Sequence, residues 1–174
     1  MQTKPATQGQ TRRRARRACK DIQFHILLKV HSEAGLTISA HMEMVKRRGV
    51  ALLGKMGSPL GKDFQEALNE QIARGVETYL FLATRGKCHG EYVIHRCVLL
   101  NVYDGLLDPK REALVPLYYA YEISGIYTWF EISGIHLLSH EQADRIFVLS
   151  SGNSILSVIT GRASLFRVGI YPKR

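Results

Sequence analysis

The fold is decided by the stretch GVALLGKMGSPLGK (residues 49–62), which an amphipathic segment joins to ETYLFLATR (residues 77–85). This order predicts a strand, a loop, a helix and a second strand, with a glycine-rich loop in the middle. Three glycines in the loop, Gly54, Gly57 and Gly61, let the backbone approach a partner closely. The segment 45–62 has no acidic residue and five basic ones, which makes it a candidate anion site: Lys46, Arg47, Arg48, Lys55 and Lys62.

The helix within this unit has signals at both ends. Ser58 is a good N-cap residue, Pro59 suits the first helical position, and Gly75 can supply the left-handed residue after the last turn. Apolar residues recur between them at helical spacing, which predicts one buried face.

The loop before the helix is not a nucleotide-hydrolysis motif. The segment from Gly57 to Lys62 is one residue short of a Walker A loop, and Asp63 follows where Ser or Thr is required. We therefore predict no cofactor. Two interpretations remain open: backbone N–H groups with Lys55 and Lys62 hold a phosphate of a larger ligand, or the loop is a tight turn with solvated lysines.

The positive charge is concentrated at the N-terminus. The net charge is +9, but residues 1–20 hold seven basic residues and no acid, so the rest of the chain carries only +2. We predict a disordered basic arm over residues 1–20 and a single domain over residues 21–174. Such an arm suits salt-sensitive contacts to nucleic acid, here through Arg12, Arg13, Arg14, Arg16 and Arg17.

Other origins of the arm are open: a membrane-surface tether, an organelle-targeting segment or a remnant of an expression tag. No apolar stretch approaches transmembrane length, and the odd number of cysteines, three, fits a reducing compartment. We expect a cytoplasmic protein with no membrane partner.

The remaining patterns predict an α+β fold with a small, curved, mostly antiparallel β-barrel and about three flanking helices. Gly49 is expected to end the first helix, Ser139 with Gln142 forms a capping box for the third, and the long fourth strand is expected to contain a bulge. The expected strands are residues 22–30, 50–53, 78–84, 91–103, 127–132 and 164–170.

Two catalytic or metal-binding options are weak. A zinc site from Cys88, His89, His95 and Cys97 lacks the paired spacing of structural zinc sites. The segment Asp108-Pro109-Lys110 resembles half of a nuclease site, but proline fits a central strand poorly. We predict no catalytic and no metal-binding residue, with a metal-dependent nuclease or another defence enzyme as the alternative function.

Recognition of a flipped base is the better interpretation, because it needs aromatic faces, a few polar groups and cations, and the chain offers all three. Trp129, Tyr127 and Phe130 are candidate stacking residues, and Ser58 and Thr84 are candidate polar contacts. Two bland alternatives stay open: Trp129 is core, and the tyrosines at 118–121 cover a surface that docks a protein partner. The candidate phosphate contacts outside the arm are Lys55, Lys62, Arg85, Lys46, Arg47 and Arg48.

The order of elements also resembles the PUA-like superfamily, closest to its EVE and YTH branches. The similarity lies in LKVHSE (28–33), GVALLGK (49–55), TYLFLAT (78–84) and TWFEI (128–132). It implies a small β-barrel that reads a modified base in DNA or RNA, as in the reader domains of modification-dependent restriction systems, where an effector nuclease or other protein is a partner. Trp129 is the one aromatic residue that carries over; His25, Leu27, Leu52 and Leu53 occupy positions where relatives often have tryptophan.

Overall fold

The structure is a computed structural model that describes residues 23–30, 36–86, 91–119 and 125–172. The predicted basic arm lies outside these residues, as do Tyr121, Cys88 and His89. None of the helices in the described ranges is both long enough and apolar enough to cross a membrane.

The described ranges form seven strands, five α-helices and one 3-10 turn. The strands are β1 (His25–Lys29), β2 (Ala51–Met56), β3 (Tyr79–Arg85), β4 (Tyr92–Asp104), β5 (Ile126–Leu137), β6 (Ile146–Val148) and β7 (Leu165–Ile170). The helices are α1 (Leu36–Arg48), α2 (Lys62–Ala73), α3 (Pro109–Glu112), α4 (His140–Asp144) and α5 (Ile155–Val158), and the 3-10 turn is Leu117–Tyr119.

One sheet contains all seven strands, in the order β2-β5-β4-β3-β1-β7-β6. Five of its six pairings are antiparallel and only β1 with β3 is parallel, which confirms the mostly antiparallel α+β prediction. The predicted closed barrel is not formed by the described residues, because the outer edge of β2 bonds to a loop and not to another strand. The Leu52 N–H donates to the Leu114 carbonyl at 2.9 Å, and the Gly54 N–H donates to the Tyr119 hydroxyl at 3.2 Å. The count of three helices was also too low.

Alternating side chains cover both faces of the sheet. On one face, Leu80, Leu82 and Phe130 join α1 and α2 in a cluster that we call the main core. On the other face, Phe81 packs with α4 and α5 in the C-terminal core. Trp129 packs there too, in a smaller group that we call the edge core; its buried members are Leu52, Val115, Tyr119, Ile126 and Trp129.

Several local predictions are confirmed. Gly49 and Gly75 follow α1 and α2 with φ of 81° and 74°, a conformation that glycine adopts without strain. Ser139 and Gln142 form the reciprocal capping box at the start of α4. The register of β4 shifts twice, between residues 96 and 98 and between residues 99 and 101, as the expected bulge requires.

The predicted start of α2 is wrong. The helix begins at Lys62 after Gly61, and Ser58 is not its N-cap. The segment before the helix is held away from helical geometry, since the Leu60 N–H donates to the Thr128 hydroxyl at 3.0 Å. The helix that begins after Ser139 ends at Asp144, because Ile146–Val148 pairs with β7 as a strand.

Candidate functional site

A cavity of about 250 Å³ opens between the ends of β1 and β2. These strands are not neighbours, since β5, β4 and β3 lie between them in the sheet. The sheet must curve strongly for both ends to line one space. The lining residues are Leu28, Lys29, Val30, Thr37, Leu53, Gly54, Lys55, Met56, Tyr119 and Ser164.

Helix α1 supplies one wall of the cavity from its first turn. Thr37 lies there and is 2% exposed, and no partner in the described part of the chain is within hydrogen-bonding distance of its hydroxyl oxygen. A buried polar group without a partner costs about 1–3 kcal/mol, so native proteins rarely keep one without reason. An ordered water or a ligand in the cavity would supply the missing hydrogen bond.

His41 fixes this first turn to β2. Its Nδ1 lies 2.6 Å from the Thr37 carbonyl oxygen and its Nε2 lies 3.2 Å from the Leu52 carbonyl oxygen. Burial lowers the pKa of His41, so the ring is neutral near pH 7 and donates through one nitrogen at a time. The ring of Tyr119 packs edge-on against it, with centroids 5.6 Å apart. The cavity wall formed by Thr37 and Tyr119 is therefore rigidly supported.

Gly54 lies in the β2 wall of the cavity, where neighbouring side chains leave no room for a Cβ atom. A Cβ atom at this position would lie 2.6 Å from Ile126 Cδ1 and 3.0 Å from Trp129 Cζ3. The glycine thus serves close packing against β5. The sequence had suggested that this glycine allows a partner to approach the backbone, which the packing does not require.

Two lysines belong to the cavity wall in different ways. The Lys55 ammonium donates to the Ser58 carbonyl, and partial burial lowers the pKa of Lys55. The Lys29 ammonium donates to the Gly161 carbonyl at 2.6 Å and lies 5.7 Å from the centroid of the Tyr92 ring. Tyr92 packs against the C-terminal core, so the Lys29 side chain extends towards that core. Of the two lysines, Lys55 is the cation that we assign to the site.

The predicted aromatic pocket is not formed. Trp129 is 1% exposed and Phe130 is fully buried, and the two rings lie on opposite faces of the sheet. The Tyr119 ring covers Trp129 edge-on, with centroids 5.7 Å apart. No base can stack on either residue in this structure, which corrects both assignments. Tyr127 is 51% exposed, because a register shift in the β2–β5 pairing makes it an extra residue on β5.

The other predicted pocket residues are not brought into the cavity. The Thr84 hydroxyl is buried and donates to the Val93 carbonyl at 3.4 Å. Ser58 is exposed and meets the site only through its carbonyl, which accepts from Lys55. Both were predicted to read the edge of a base; in the structure neither side chain lines the cavity.

The predicted phosphate contacts fall into separate places. Lys62 is exposed at the start of α2, and Arg85 is exposed at the end of β3. Arg85 lies two residues beyond Ala83, whose carbonyl accepts a hydrogen bond from the N–H of the cavity-lining Val30. Lys46, Arg47 and Arg48 form the last turn of α1, opposite the end that holds Thr37, and Arg47 pairs with Glu43. The structure therefore does not bring these last three residues to the cavity. The arm residues Arg12, Arg13, Arg14, Arg16 and Arg17 lie outside the described residues.

The described residues do not form the nuclease site or the zinc site that were considered from the sequence. Asp108 caps α3, accepts from the Arg111 N–H at 3.0 Å and pairs with the Arg111 guanidinium at 2.7 Å. Burial raises the pKa of the Cys97 thiol to about 12, which keeps it protonated. Within the described ranges, no three His, Cys, Asp or Glu side chains gather as a metal site would require.

Sequence reasoning missed Thr37, His41 and Tyr119 as site residues. Thr37 and His41 were not singled out, and Tyr119 was considered only as one of the tyrosines at 118–121. The signal that marks Thr37 is the absence of a hydrogen-bond partner in a packed wall, which no sequence pattern contains.

Comparison with known proteins adds little to this geometry. No family model matches the chain, and no curated protein matches it. Among solved structures, the chain is similar to the YTH domain of the Zygosaccharomyces rouxii MRB1 protein, described in complex with N6-methyladenosine RNA. The two share 15% identity with a TM-score of 0.41, over 86% of this chain and 78% of that chain.

Proposed function

We propose that this domain is a non-catalytic binder of DNA or RNA that takes a single base into the cavity between β1 and β2. The volume of about 250 Å³ supports a ligand of this size. Pockets for drug-sized molecules span roughly 300–1,000 Å³, so a single heterocycle suits this one better. The stacking role given earlier to Trp129 and Phe130 is not part of the proposal.

The unpartnered hydroxyl of Thr37 is the observation that carries the proposal. It lies in the cavity wall beside the apolar side chains of Leu28 and Leu53, which belong to the main core. A wall of this kind suits a planar ring with polar edges, because the hydroxyl can donate or accept while the aliphatic groups contact the face of the ring. The same aliphatic groups would accept a methyl substituent, so a modified base is the form of ligand that we favour.

Cations would hold the nucleic-acid backbone. Lys55 is in the cavity wall, while Lys62 is exposed at the start of α2 and Arg85 at the end of β3. Phosphate contacts of this kind supply affinity without sequence information, while the cavity supplies the preference for a base. An effector nuclease or other protein in a defence system would be a further partner and would supply any cleavage.

A binding panel tests the proposal. Labelled duplex and single-stranded oligonucleotides, each with and without a methylated base, are titrated with the full chain at low and at moderate salt. We expect binding that weakens with salt, together with a preference for one base or modification that persists at the higher salt. Binding that disappears uniformly, with no preference at any salt concentration, would reject the base-reading part of the proposal.

A further inference from the structure

Arg167 has an unusual environment on β7. Its guanidinium carbon lies 4.2 Å from the centroid of the Phe64 ring and 5.3 Å from that of Phe24. The two phenyl rings are themselves stacked, with centroids 5.7 Å apart and an interplanar angle of 23°. Arg167 is exposed to solvent despite these contacts. The two rings therefore hold the Arg167 side chain in place while the guanidinium charge stays at the surface.

No carboxylate neutralises this charge among the described residues, whose ion pairs are Arg47 with Glu43 and Arg111 with Asp108. Aromatic contacts hold a guanidinium in position and leave N–H groups at its edge free to donate. A fixed, unpaired guanidinium of this kind suits the bidentate recognition of a phosphate.

Arg167 lies on the same face of the sheet as Leu28 and Leu53, which line the cavity. Leu165 packs against the main core and Phe166 against the C-terminal core, so alternation returns Arg167 to the main-core side. In the β1–β7 pairing, Ile26 lies opposite Arg167, and Leu28, which lines the cavity, lies opposite Leu165. The guanidinium itself lies over Phe24, which is two residues beyond Ile26 and four residues from Leu28, so the charge is roughly 13 Å along the strand from Leu28. About two nucleotide steps along a single strand cover a separation of that order.

We propose that Arg167 binds a backbone phosphate of the same strand, about two nucleotides from the one whose base occupies the cavity. The inference rests on the proposed function. It adds a residue that composition could not single out, because the guanidinium is held in position by the stacked rings of Phe24 and Phe64. The contact would position the strand and would not select the base. A purely structural role, in which Arg167 only covers the two rings, would leave the salt dependence of binding unchanged.

The test uses the full chain and the tightest-binding oligonucleotide of the panel, with binding measured by fluorescence anisotropy across a range of salt concentrations. Arg167→Gln keeps a planar side-chain group over the rings but removes the charge. Arg167→Lys keeps the charge but removes the planar guanidinium and its paired N–H donors. Arg48→Gln is the matched control, since it removes the same charge at the far end of α1. Thermal unfolding of each variant shows whether it is folded.

We expect Arg167→Gln to weaken binding on the order of fivefold for every oligonucleotide and to lower the salt slope by about 1, with the base preference intact. Arg167→Lys should keep most of the slope, and Arg48→Gln should behave like the wild type. An unchanged slope in Arg167→Gln, or an equal change in Arg48→Gln, would overturn the inference while the proposed function stands. If the wild type binds no oligonucleotide, both fail together.

Discussion

The hydroxyl of Tyr119 accepts a hydrogen bond from the backbone N–H of Gly54 at 3.2 Å. This contact ties the 3-10 turn to the outer edge of β2, where another strand would otherwise pair. The same ring lies against His41 and covers Trp129. One tyrosine thus closes the sheet edge, supports a wall of the cavity and buries the tryptophan.

Tyr119→Phe should lower the free energy of unfolding by roughly 1–3 kcal/mol, because the Gly54 N–H is left without its acceptor while the ring packing is kept. Urea denaturation followed by fluorescence measures the change. Tyr127→Phe is the control, since Tyr127 is 51% exposed and should lose almost nothing. Equal stability of Tyr119→Phe and wild type would mean that the hydrogen bond does not hold the edge of β2.

Gly54→Ala should destabilise the fold by roughly 1–3 kcal/mol through overpacking, because the new methyl group would lie 2.6 Å from Ile126 Cδ1. Gly61→Ala makes the matched comparison: a Cβ at that position meets nothing within 4 Å, so stability should change little. Equilibrium unfolding of the two variants gives the difference directly. A tolerated Gly54→Ala would show that the β2–β5 contact is looser than described.

Trp129→Phe should reduce stability by about 1–3 kcal/mol, since the smaller ring leaves a void in the edge core. At a temperature where the variant is still folded, its affinity for nucleic acid should match that of the wild type, because no ligand reaches a residue that is 1% exposed. Calorimetry measures the change in stability, and a titration with the oligonucleotide measures the affinity. Normal stability with lost binding would restore the stacking role that the structure removes.

Acid should weaken the fold through His25. Burial lowers the pKa of His25 to about 4, whereas its ordinary value is 6.5. Between these values the unfolded chain binds more protons than the folded one, so the stabilisation is complete above pH 6.5 and is lost as the pH falls towards 4. The geometry agrees, because His25 Nδ1 accepts from the Tyr79 N–H at 3.2 Å and cannot do so when protonated.

We expect this histidine to account for a loss of about 2 kcal/mol between pH 7 and pH 5. Urea unfolding at the two pH values measures it. His25→Gln should flatten the dependence, whereas His140→Gln, at an exposed position, should not. An equally steep loss in His25→Gln would assign the acid sensitivity to other groups.

The sequence predicted the ends of helices well where local signals set them, and failed where a contact distant in sequence set them. Gly49, Gly75 and the Ser139–Gln142 box act within a few residues of chain, so their patterns are sufficient. Ser58 failed because the competing contact, from Leu60 to Thr128, joins residues 68 positions apart. A distant hydrogen bond overrode a local capping signal that was correct in itself.

The site was harder to predict than the fold. Trp129 alternates with Phe130 along β5, and only the partners on each face determine that both are covered. The cavity forms where two strands that are not neighbours in the sheet converge, and Thr37 matters because no described residue satisfies its hydroxyl. These are properties of tertiary packing. Composition pointed to one lining residue, Lys55, although the structure places it in β2 and not in a loop.

Thr37→Val gives the most direct test of the account, because it replaces the unpartnered hydroxyl with a methyl group of similar size. Thr78→Val is the control, a buried threonine whose hydroxyl is hydrogen-bonded to Gln71 and to the Val76 carbonyl. We expect Thr37→Val to be as stable as the wild type, or more so, yet to bind the preferred oligonucleotide about five- to tenfold more weakly; Thr78→Val should lose stability and keep its affinity. Thr37→Val that binds the oligonucleotide as tightly as the wild type would contradict the central claim that a base occupies this cavity.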